Sequence, residues 1–376
     1  MEILRAKSVL SVLMAIAVLL AAAGKAAAEP PGPVLPKLMD RETVKAIDRG
    51  LNYLVKTQRN DGSWMNSGGY GTYPTAMSAL SGMALLGSGS TPESGRYAKN
   101  VRKVMNYLIH LGESGGDGLI ASNIGGEYQS MHGHGFALLF LAECYGMENS
   151  VENEARLKKV IEKGIELTAK CQSDQGAQYQ HAGGWIYTPQ SRGDEGSVTV
   201  TQLQALRAAR NVGLKVPKST IDRAVAYLKH CQMPDGSICY SWSSRGNGTV
   251  ALSAAGIACF FSAGVYDQAS GGSGDESKMV DKLVQFVLKN LKVDNGGGHY
   301  FYTHLYAAQS MYQRAGNDPK AVKEWEDYYK NIRQKLLSSQ NPDGSWSGDG
   351  VGTTYGTAIA LTILQLPYGY VPIYQR

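Results

Sequence analysis

The chain carries an internal repeat, and this repeat limits the folds that it can adopt. Residues 57–69 read TQRNDGSWMNSGG and residues 338–350 read SSQNPDGSWSGDG. Related stretches are CQSDQGAQYQHAGGWIY at 171–187 and CQMPDGSICYSW at 231–242, with weaker copies at 116–120 and 294–300. The glycines of these turns lie 48 to 60 residues apart: Gly62, Gly118, Gly176, Gly236, Gly296 and Gly344. Self-similarity at such a period indicates a repeat architecture, so the sequence predicts six units.

Every unit has the same predicted order of elements. An amphipathic helix comes first, as in Val44, Ile47, Leu51 and Leu54, whose spacing places them on one face. The glycine turn follows, and then a helix that is apolar nearly all round, such as VALSAAGIACFFSAG at 250–264. A helix of that kind is buried on every side. Glycines at the ends of these helices suit a left-handed cap: Gly87, Gly146, Gly213, Gly264 and Gly316.

Six such helix pairs predict a closed ring. The amphipathic helices form an outer layer around a barrel of buried inner helices. An open solenoid would need polar capping repeats, and neither terminal unit is polar. The sequence therefore predicts an all-α (α/α)6 toroid over residues 40–376, with no competing strand-rich segment.

The glutamine and tryptophan of the repeat have a predicted structural role. Asp-Gly supplies a tight turn, Gln58 and Gln340 hydrogen-bond free backbone groups at helix ends, and Trp64 and Trp346 pack over the junction. The pattern resembles the QW repeat of the squalene cyclase and protein prenyltransferase β-subunit superfamily, over residues 40–366. This resemblance implies the terpenoid-cyclase fold, but it is much less specific for function.

The first residues predict export. Two basic residues precede an apolar run at 9–24, and three alanines follow at 26–28, which is the order of a secretory signal peptide over residues 1–28. A Pro-rich leader at 29–39 connects it to the toroid. Cleavage after Ala28 removes three cations and one carboxylate, which lowers the net charge from +5 to +3. So small a charge argues against a nucleic-acid partner. We expect a secreted or periplasmic protein without a stable membrane span.

Five cysteines remain after this cleavage, and the odd number leaves at least one thiol without an intramolecular partner. Cys231 and Cys239 flank one turn and are the best candidates for a disulfide. Cys144 and Cys259 lie in apolar runs and are expected to be small buried hydrophobes. No zinc-finger spacing occurs, and the sequence predicts neither a metal nor a cofactor.

Ligands of such a ring are expected at the end where the turns lead into the inner helices, because these helix N-termini are electropositive. Titratable and aromatic residues gather at those positions: Tyr70, Tyr73, His132, His134, Asp194, Glu195, Arg245, Asn247, His299, Tyr300, Tyr302, His304, Tyr306, Asp349 and Tyr355. Clustering of this kind in one cleft is the usual mark of a binding or catalytic site.

The resemblance to class II terpene cyclases implies a protonating aspartate at an inner-helix N-terminus and aromatic faces that stabilise cations. Asp194 occupies about that place, although the tandem aspartates of the cyclases are replaced here by Asp-Glu-Gly-Ser-Val-Thr. An alternative role for Asp194 and Glu195 is to cap the helix that starts at Ser197. Zinc-dependent prenyl transfer is disfavoured, because the histidine segment at 301–311 lacks the companion Asp-x-Cys of that family.

Polysaccharide lyases and glycosidases also use α/α toroids. A lyase needs a neutralising Asn or Arg and a His or Tyr base, and residues of these types are present: Arg245, Asn247, His132 and Tyr302. A glycosidase needs two opposed carboxylates, which Asp194 or Glu195 could form with Asp349.

The sequence thus predicts an exported toroid with an isoprenoid-like or other small-molecule ligand at the barrel mouth, and terpene-cyclase-like isomerisation as its first candidate reaction. The alternatives are a carbohydrate enzyme of the lyase type and a non-catalytic binding or scaffold protein. The predicted catalytic residues are Asp194, Glu195, His132 and His134. The predicted ligand-binding residues are Tyr73, Arg245, Asn247, His299, Tyr302, His304 and Tyr355.

Overall fold

Twelve α-helices follow one another in the part of the chain that the computed structural model describes, residues 35–65, 68–69, 71–124, 127, 129–173, 183–191, 193–243, 245–263, 274–294, 299–316 and 318–375. The predicted signal peptide and most of the predicted leader lie outside these residues. All twelve helices belong to one unit, Leu38–Arg376.

The helices alternate between an outer and an inner layer. The outer helices are α1 (Arg41–Thr57), α3 (Ala98–Ser114), α5 (Val151–Cys171), α7 (Lys218–His230), α9 (Gly274–Asn290) and α11 (Pro319–Ser338). The inner helices are α2 (Pro74–Gly87), α4 (Met131–Cys144), α6 (Gly196–Asn211), α8 (Val250–Ser262), α10 (Tyr300–Ala315) and α12 (Thr353–Gln365). A hairpin that the sequence did not predict, β1 (Ile238–Ser241) and β2 (Arg245–Thr249), lies between α7 and α8.

The inner helices form a closed ring. Each packs on the inner helix of the preceding and of the following unit, and α12 returns to pack on α2. The outer helices cover the inner ones, as α3 covers α2 and α4. In α2 every residue is buried, as expected for an inner helix without a polar face. The structure confirms the prediction of an (α/α)6 toroid.

Glutamines of the repeat tie four of the six turns to the next unit. Gln340 Nε2 donates to a carbonyl of its own turn and to Ala46 O of α1, both at 2.9 Å. Gln58 Nε2 makes the corresponding bonds to its turn (3.0 Å) and to Asn100 O of α3 (3.1 Å). The same bonds recur twice more, from Gln172 to α7 and from Gln232 to α9. The bond from Gln340 joins the last unit to the first and so closes the ring.

The tryptophans of the repeat hydrogen-bond to the C-terminal ends of the outer helices. Trp64, Trp185 and Trp346 are fully buried. Each indole N–H donates to a carbonyl in the last turns of the preceding outer helix, at 2.7 to 2.8 Å. Two of these carbonyls, Leu54 O and Leu336 O, also accept from the backbone N–H of the C-cap residue, so the indole adds a further hydrogen bond that ties the tryptophan to the helix end.

The turn glycines pack directly against the next outer helix. A Cβ at Gly344, which has φ +92°, would stand 2.5 Å from Arg49 O of α1. The same conflict occurs in four other units, at Gly62, Gly118, Gly183 and Gly236. In unit three the glycine is therefore Gly183 and not Gly176, because the turn is longer than in the other units. Gly176 and Gly296 lie outside the described residues.

Gly146 (φ +82°) and Gly213 (φ +84°) have the positive φ expected of a left-handed cap, whereas Gly316 (φ 31°, ψ −125°) caps α10 outside the left-handed helical region, and Gly264 lies outside the described residues. Gly87 is instead the last residue of α2, and Gly89 (φ +82°) takes the left-handed conformation. The backbone keeps a right-handed conformation at Ser88, and its φ becomes positive only at Gly89.

The C-terminal segment covers the end of the barrel where the inner helices finish. It forms two short 3-10 helices, Leu366–Tyr368 and Pro372–Tyr374. Gln313 Nε2 of α10 donates to Ile373 O at 2.8 Å, and Ile373 N lies 3.5 Å from Glu143 Oε2 of α4. Within the described residues, no helix has the length and apolar character that would let it cross a membrane.

The glycine contact predicts a difference between two Gly→Ala variants. Gly213→Ala should lower the free energy of unfolding by about 1 kcal/mol, since Gly213 is left-handed (φ +84°) but has no atom within 4 Å of a new Cβ. Gly344→Ala should cost about 3 kcal/mol or more, because the same backbone strain is joined by a collision with α1. Urea denaturation of both variants measures the difference. Equal losses of unfolding free energy would contradict the close contact between Gly344 and α1.

Candidate functional site

Hydrogen bonds between turns gather the N-termini of the inner helices at one end of the barrel, here called the mouth. Glu127, before α4, accepts from two backbone N–H groups at the start of α2. Met131 N of α4 donates to Tyr187 O, before α6, at 2.8 Å. Asp349, before α12, accepts from Phe301 N of α10 at 2.6 Å. The mouth is therefore a fixed ring of helix ends, with an electropositive character that favours acidic side chains.

Glu195 is the N-cap of α6 and has one oxygen available. Its Oε2 accepts from Ser197 Oγ (2.6 Å) and Val198 N (2.7 Å). Its Oε1 is buried and has no partner in ordinary hydrogen-bond geometry among the described residues, although the Tyr240 side chain lies close enough to interact with the carboxylate. The side chain as a whole is 1% exposed. The cap thus fixes the carboxylate in place and leaves its second oxygen without a hydrogen bond from the helix.

Two other polar groups of the mouth lie near Glu195. His132 Nε2 on α4 and Tyr302 Oη on α10 are also buried without a partner among the described residues. Burial lowers the pKa of His132, and the charge of Glu195 opposes this shift. Burial raises the pKa of Tyr302 far above its ordinary value, and the charges of Tyr306 and Glu195 add to the shift. Near neutral pH the imidazole is therefore neutral and the phenol protonated.

Tyr187 and Tyr240, here called the rim tyrosines, border the same carboxylate. Their rings are 48% and 45% exposed, and their hydroxyl groups hydrogen-bond each other. Burial raises the pKa of both phenols, and the charge of Glu195 contributes in both cases. The sequence analysis missed them. The sequence does contain a pattern that could have identified them: each tyrosine lies two residues after a buried residue of the repeat, Trp185 or Ile238.

Asp194 faces away from Glu195 and holds the hairpin. Its carboxylate accepts from Tyr227 Oη (2.8 Å), from Trp242 N and from Ser243 N (3.3 Å). The backbone at Glu195 is extended (φ −151°, ψ 131°), so adjacent side chains point to opposite sides. These contacts give Asp194 a positioning role, because three donors depend on its two oxygens.

His134 and His304 point towards the outer layer. His134 Nδ1 accepts from Ile120 N (3.0 Å), and its Nε2 lies 3.1 Å from Thr168 Oγ1 of α5. His304 Nδ1 lies 2.9 Å from Tyr328 Oη of α11. At the position of His134 other units carry a hydroxyl that accepts the equivalent backbone N–H: Ser78, Thr199, Ser253 and Thr357. The geometry therefore gives His134 a packing role, whereas Nε2 of His304 is buried without a hydrogen bond to the described residues.

The remaining predicted residues surround the mouth at other places. Arg245 is exposed on β2, stacks on Trp242 (4.0 Å) and donates to His230 O (3.2 Å). Asn247 is exposed on the same strand. Tyr73, His299 and Tyr355 lie at or near the first residues of α2, α10 and α12. Tyr70 lies outside the described residues. Of the predicted set, the structure brings Glu195, His132 and Tyr302 together.

Asp349 marks the opposite side of the mouth. It is half-buried, and burial raises its pKa while the bond from Phe301 N lowers it. Its charge raises the pKa of Tyr355 further, after the larger effect of burial. The charge of Tyr355 in turn contributes to the raised pKa of Tyr302. Electrostatic interactions thus link Glu195 to Tyr302, Tyr302 to Tyr355, and Tyr355 to Asp349.

The cysteines do not form the predicted bridge. All five are free thiols. Cys231 and Cys239 are nevertheless neighbours, because Cys239 N donates to Cys231 O at 3.0 Å and their side chains hydrogen-bond. Among the described residues no three His, Cys, Asp or Glu side chains are grouped so as to hold a metal ion.

Comparison with known proteins identifies the fold. No protein-family model matches the chain, and no curated protein matches it. Among solved structures, the GH76A α-1,6-mannanase of Salegentibacter sp. HEL1_6 has a TM-score of 0.65 at 10% identity, over 87% of this chain and 99% of that one. A family 76 glycoside hydrolase from a bovine Bacteroides thetaiotaomicron strain has a TM-score of 0.62 at 9% identity, over 88% and 79%.

A second group of similar structures has a different chemistry. The type II terpene cyclase MstE of Scytonema, as its Y-to-F variant, has a TM-score of 0.54 at 14% identity, over 87% of this chain and 97% of that one. At these identities both likenesses establish the fold alone. This chain therefore shares the α/α toroid with mannanases and terpene cyclases.

The hydrogen bonds of Asp194 predict a stability effect. Asp194→Ala should lower the free energy of unfolding by about 3 kcal/mol, since Tyr227 Oη and two backbone N–H groups lose their acceptor. Glu195→Gln should cost about 1 kcal/mol or less, because an amide oxygen can still accept from Val198 N. Thermal and urea denaturation of both variants test this order, and a more damaging Glu195→Gln would contradict it.

We expect the free energy of unfolding to depend on pH through His134. Burial lowers its pKa from 6.5 to about 4, so the unfolded chain binds its proton first as the pH falls. Its contribution to stability is complete above pH 6.5 and is lost progressively down to about pH 4. Between pH 7 and pH 5 this loss is about 2 kcal/mol.

The variant His134→Gln isolates this contribution. Burial raises the pKa of Glu127 and Glu143 to about 7, which acts in the opposite direction but equally in both proteins. The stability difference between wild type and variant, from urea denaturation, should therefore narrow from pH 7 to pH 5. A constant difference would show that His134 is not buried in its neutral form.

Proposed function

We propose that the mouth of the toroid binds a carbohydrate, with Glu195 at the centre of the site. The observation that carries this proposal is the buried carboxylate of Glu195, whose charge acts on His132 and on Tyr302, two residues that also have a buried polar atom without a hydrogen bond. A carboxylate, a neutral imidazole and a phenol offer acceptors and a donor to a ligand that is rich in hydroxyl groups.

The same atoms disfavour a hydrocarbon ligand. Covering a buried polar atom without giving it a hydrogen bond costs about 1–3 kcal/mol. These atoms of Glu195, His132 and Tyr302 are already buried and unpaired; sugar hydroxyls that reached them would supply the missing hydrogen bonds, whereas a hydrocarbon would leave them unpaired. This difference favours a carbohydrate over the isoprenoid ligand that the sequence suggested first.

The chemistry that the mouth supports best is cleavage of a glycosidic bond. Such cleavage uses two carboxylates on opposite sides of the scissile bond, and the proposal assigns these roles to Glu195 of unit three and Asp349 of unit six. Glu195 is assigned the proton transfer and His132 a hydrogen bond to the sugar. A lyase is a poorer fit, because Arg245 stacks on Trp242 at the outside of the hairpin.

The similar structures are compatible with this proposal. Two structures of the Salegentibacter mannanase are of inactive variants, in which two adjacent aspartates were replaced, in complex with α-1,6-mannotriose and with α-1,6-mannotetrose. In this chain the adjacent acids Asp194 and Glu195 stand at the start of α6. Only Glu195 of these two has a free oxygen.

An isoprenoid ligand is the second candidate. Aromatic rings lie behind the carboxylate, with Tyr302 and Tyr306 at 4.8 Å between ring centroids and Phe301 and Tyr355 at 6.4 Å. Faces of such rings stabilise cations. One structure of MstE holds merosterolic acid A, described as its product. A test of function must therefore offer both ligand classes.

The test compares Glu195→Gln with Glu143→Gln. Glu143 is an equally buried glutamate (2% exposed) at the opposite end of the barrel. Binding is measured by calorimetry with manno-, xylo-, gluco- and uronic-acid oligosaccharides and with geranylgeraniol, and release of reducing ends reports turnover. We expect wild type and Glu143→Gln to bind the same saccharide, and Glu195→Gln to bind at least about tenfold more weakly, the equivalent of 1.4 kcal/mol.

Three other results of this experiment would each contradict a different part of the proposal. Binding of geranylgeraniol without any saccharide would replace the proposal by the isoprenoid alternative. Saccharide binding that is unchanged in Glu195→Gln would move the site away from this cluster. Binding without turnover would leave a carbohydrate-binding protein and remove the proton-transfer role of Glu195.

A further inference from the structure

The rim tyrosines are exposed although they are held rigidly. Among the described residues, few large hydrophobic side chains are as exposed as Tyr187 and Tyr240. They come from different units, yet their hydroxyl groups share a hydrogen bond. A pair of aromatic rings that is kept in solvent by bonded neighbours is a typical contact surface for a ligand.

The backbone beneath both rings is anchored to the residues of the mouth. Tyr187 O accepts from Met131 N, the residue before His132, at 2.8 Å. Tyr240 O lies 3.1 Å from the position of a Cβ on Gly196, the residue after Glu195. The hairpin that carries Tyr240 is held at Trp242 N and Ser243 N by Asp194. Both rings therefore have a fixed position relative to His132 and Glu195.

The chemistry of the pair matches a sugar that lies beside the one at Glu195. A sugar ring presents an apolar C–H face that packs on an aromatic ring, while its hydroxyls reach the polar edge of a tyrosine. Tyrosine gives such contact area at a low cost in conformational entropy. The charge of Glu195 acts on both phenols, so the rim tyrosines lie close to the carboxylate.

We propose that Tyr187 and Tyr240 form a second subsite, which holds the neighbouring sugar unit of a chain whose first unit lies at Glu195. The site then selects oligosaccharides over monosaccharides. This inference rests on the proposed function, and it adds the size class of the ligand and two residues that determine it.

The experiment measures how affinity depends on chain length. Calorimetric titrations use manno-, xylo-, gluco- and uronic-acid saccharides of one to four units, with wild type and with Tyr187→Leu/Tyr240→Leu. In wild type we expect affinity to rise at least about tenfold from one unit to three in the series that binds. In the double variant this gain should fall to about threefold or less, with affinity for the single unit unchanged.

Two controls separate stacking from loss of structure. Tyr370→Leu removes a tyrosine of similar exposure (55%) near the C-terminus and should keep the full gain. Tyr187→Phe/Tyr240→Phe keeps both rings, removes the shared hydrogen bond and should also keep most of the gain. If the leucine variant is unstable by circular dichroism, the single variants Tyr187→Leu and Tyr240→Leu replace it, each expected to lose part of the gain.

The failures are distinguishable. If saccharides bind but the leucine variants keep the wild-type gain with chain length, the second subsite is refuted and the proposed function stands. If no saccharide series binds to wild type, the proposed function is refuted and the second subsite with it.

Discussion

The structure depends on one repeated interaction, the contact of each turn with the outer helix of the next unit. A glutamine amide bonds both partners, and a glycine without a side chain lets their backbones touch. Because Gln340 and Gly344 make this contact with α1, the six units form a closed ring and have no exposed ends. Inner helices that are apolar on nearly every side can be stable only inside such a ring.

Closure of the ring also explains where the polar groups lie. The inner helices bring their N-termini together, and unpaired N–H groups there favour acidic side chains. Glu195 serves this structural need with one oxygen only, since Oε2 caps α6 and Oε1 remains without a partner among the described residues. A helix cap can therefore also be a ligand group, and the two roles that the sequence left open for this residue are compatible.

The sequence predicted the helix pairs, their layers and the end of the barrel that carries polar groups, because the repeat and the helical period report burial directly. It could not separate Asp194 from Glu195, since only the extended backbone between them decides which one faces the mouth. His134 was misleading because a histidine fills a position where other units carry a hydroxyl. Tyr187 and Tyr240 escaped notice because their pairing joins turns of different units, which no local pattern reveals.

The most direct measurement of the central claim is a crystal structure of the protein grown with the saccharide that binds most tightly. The account predicts sugar hydroxyl groups within hydrogen-bonding distance of Glu195 Oε1 and His132 Nε2, at the mouth of a closed six-unit ring. A saccharide bound elsewhere, or a Glu195 whose Oε1 is already paired within the protein, would contradict it.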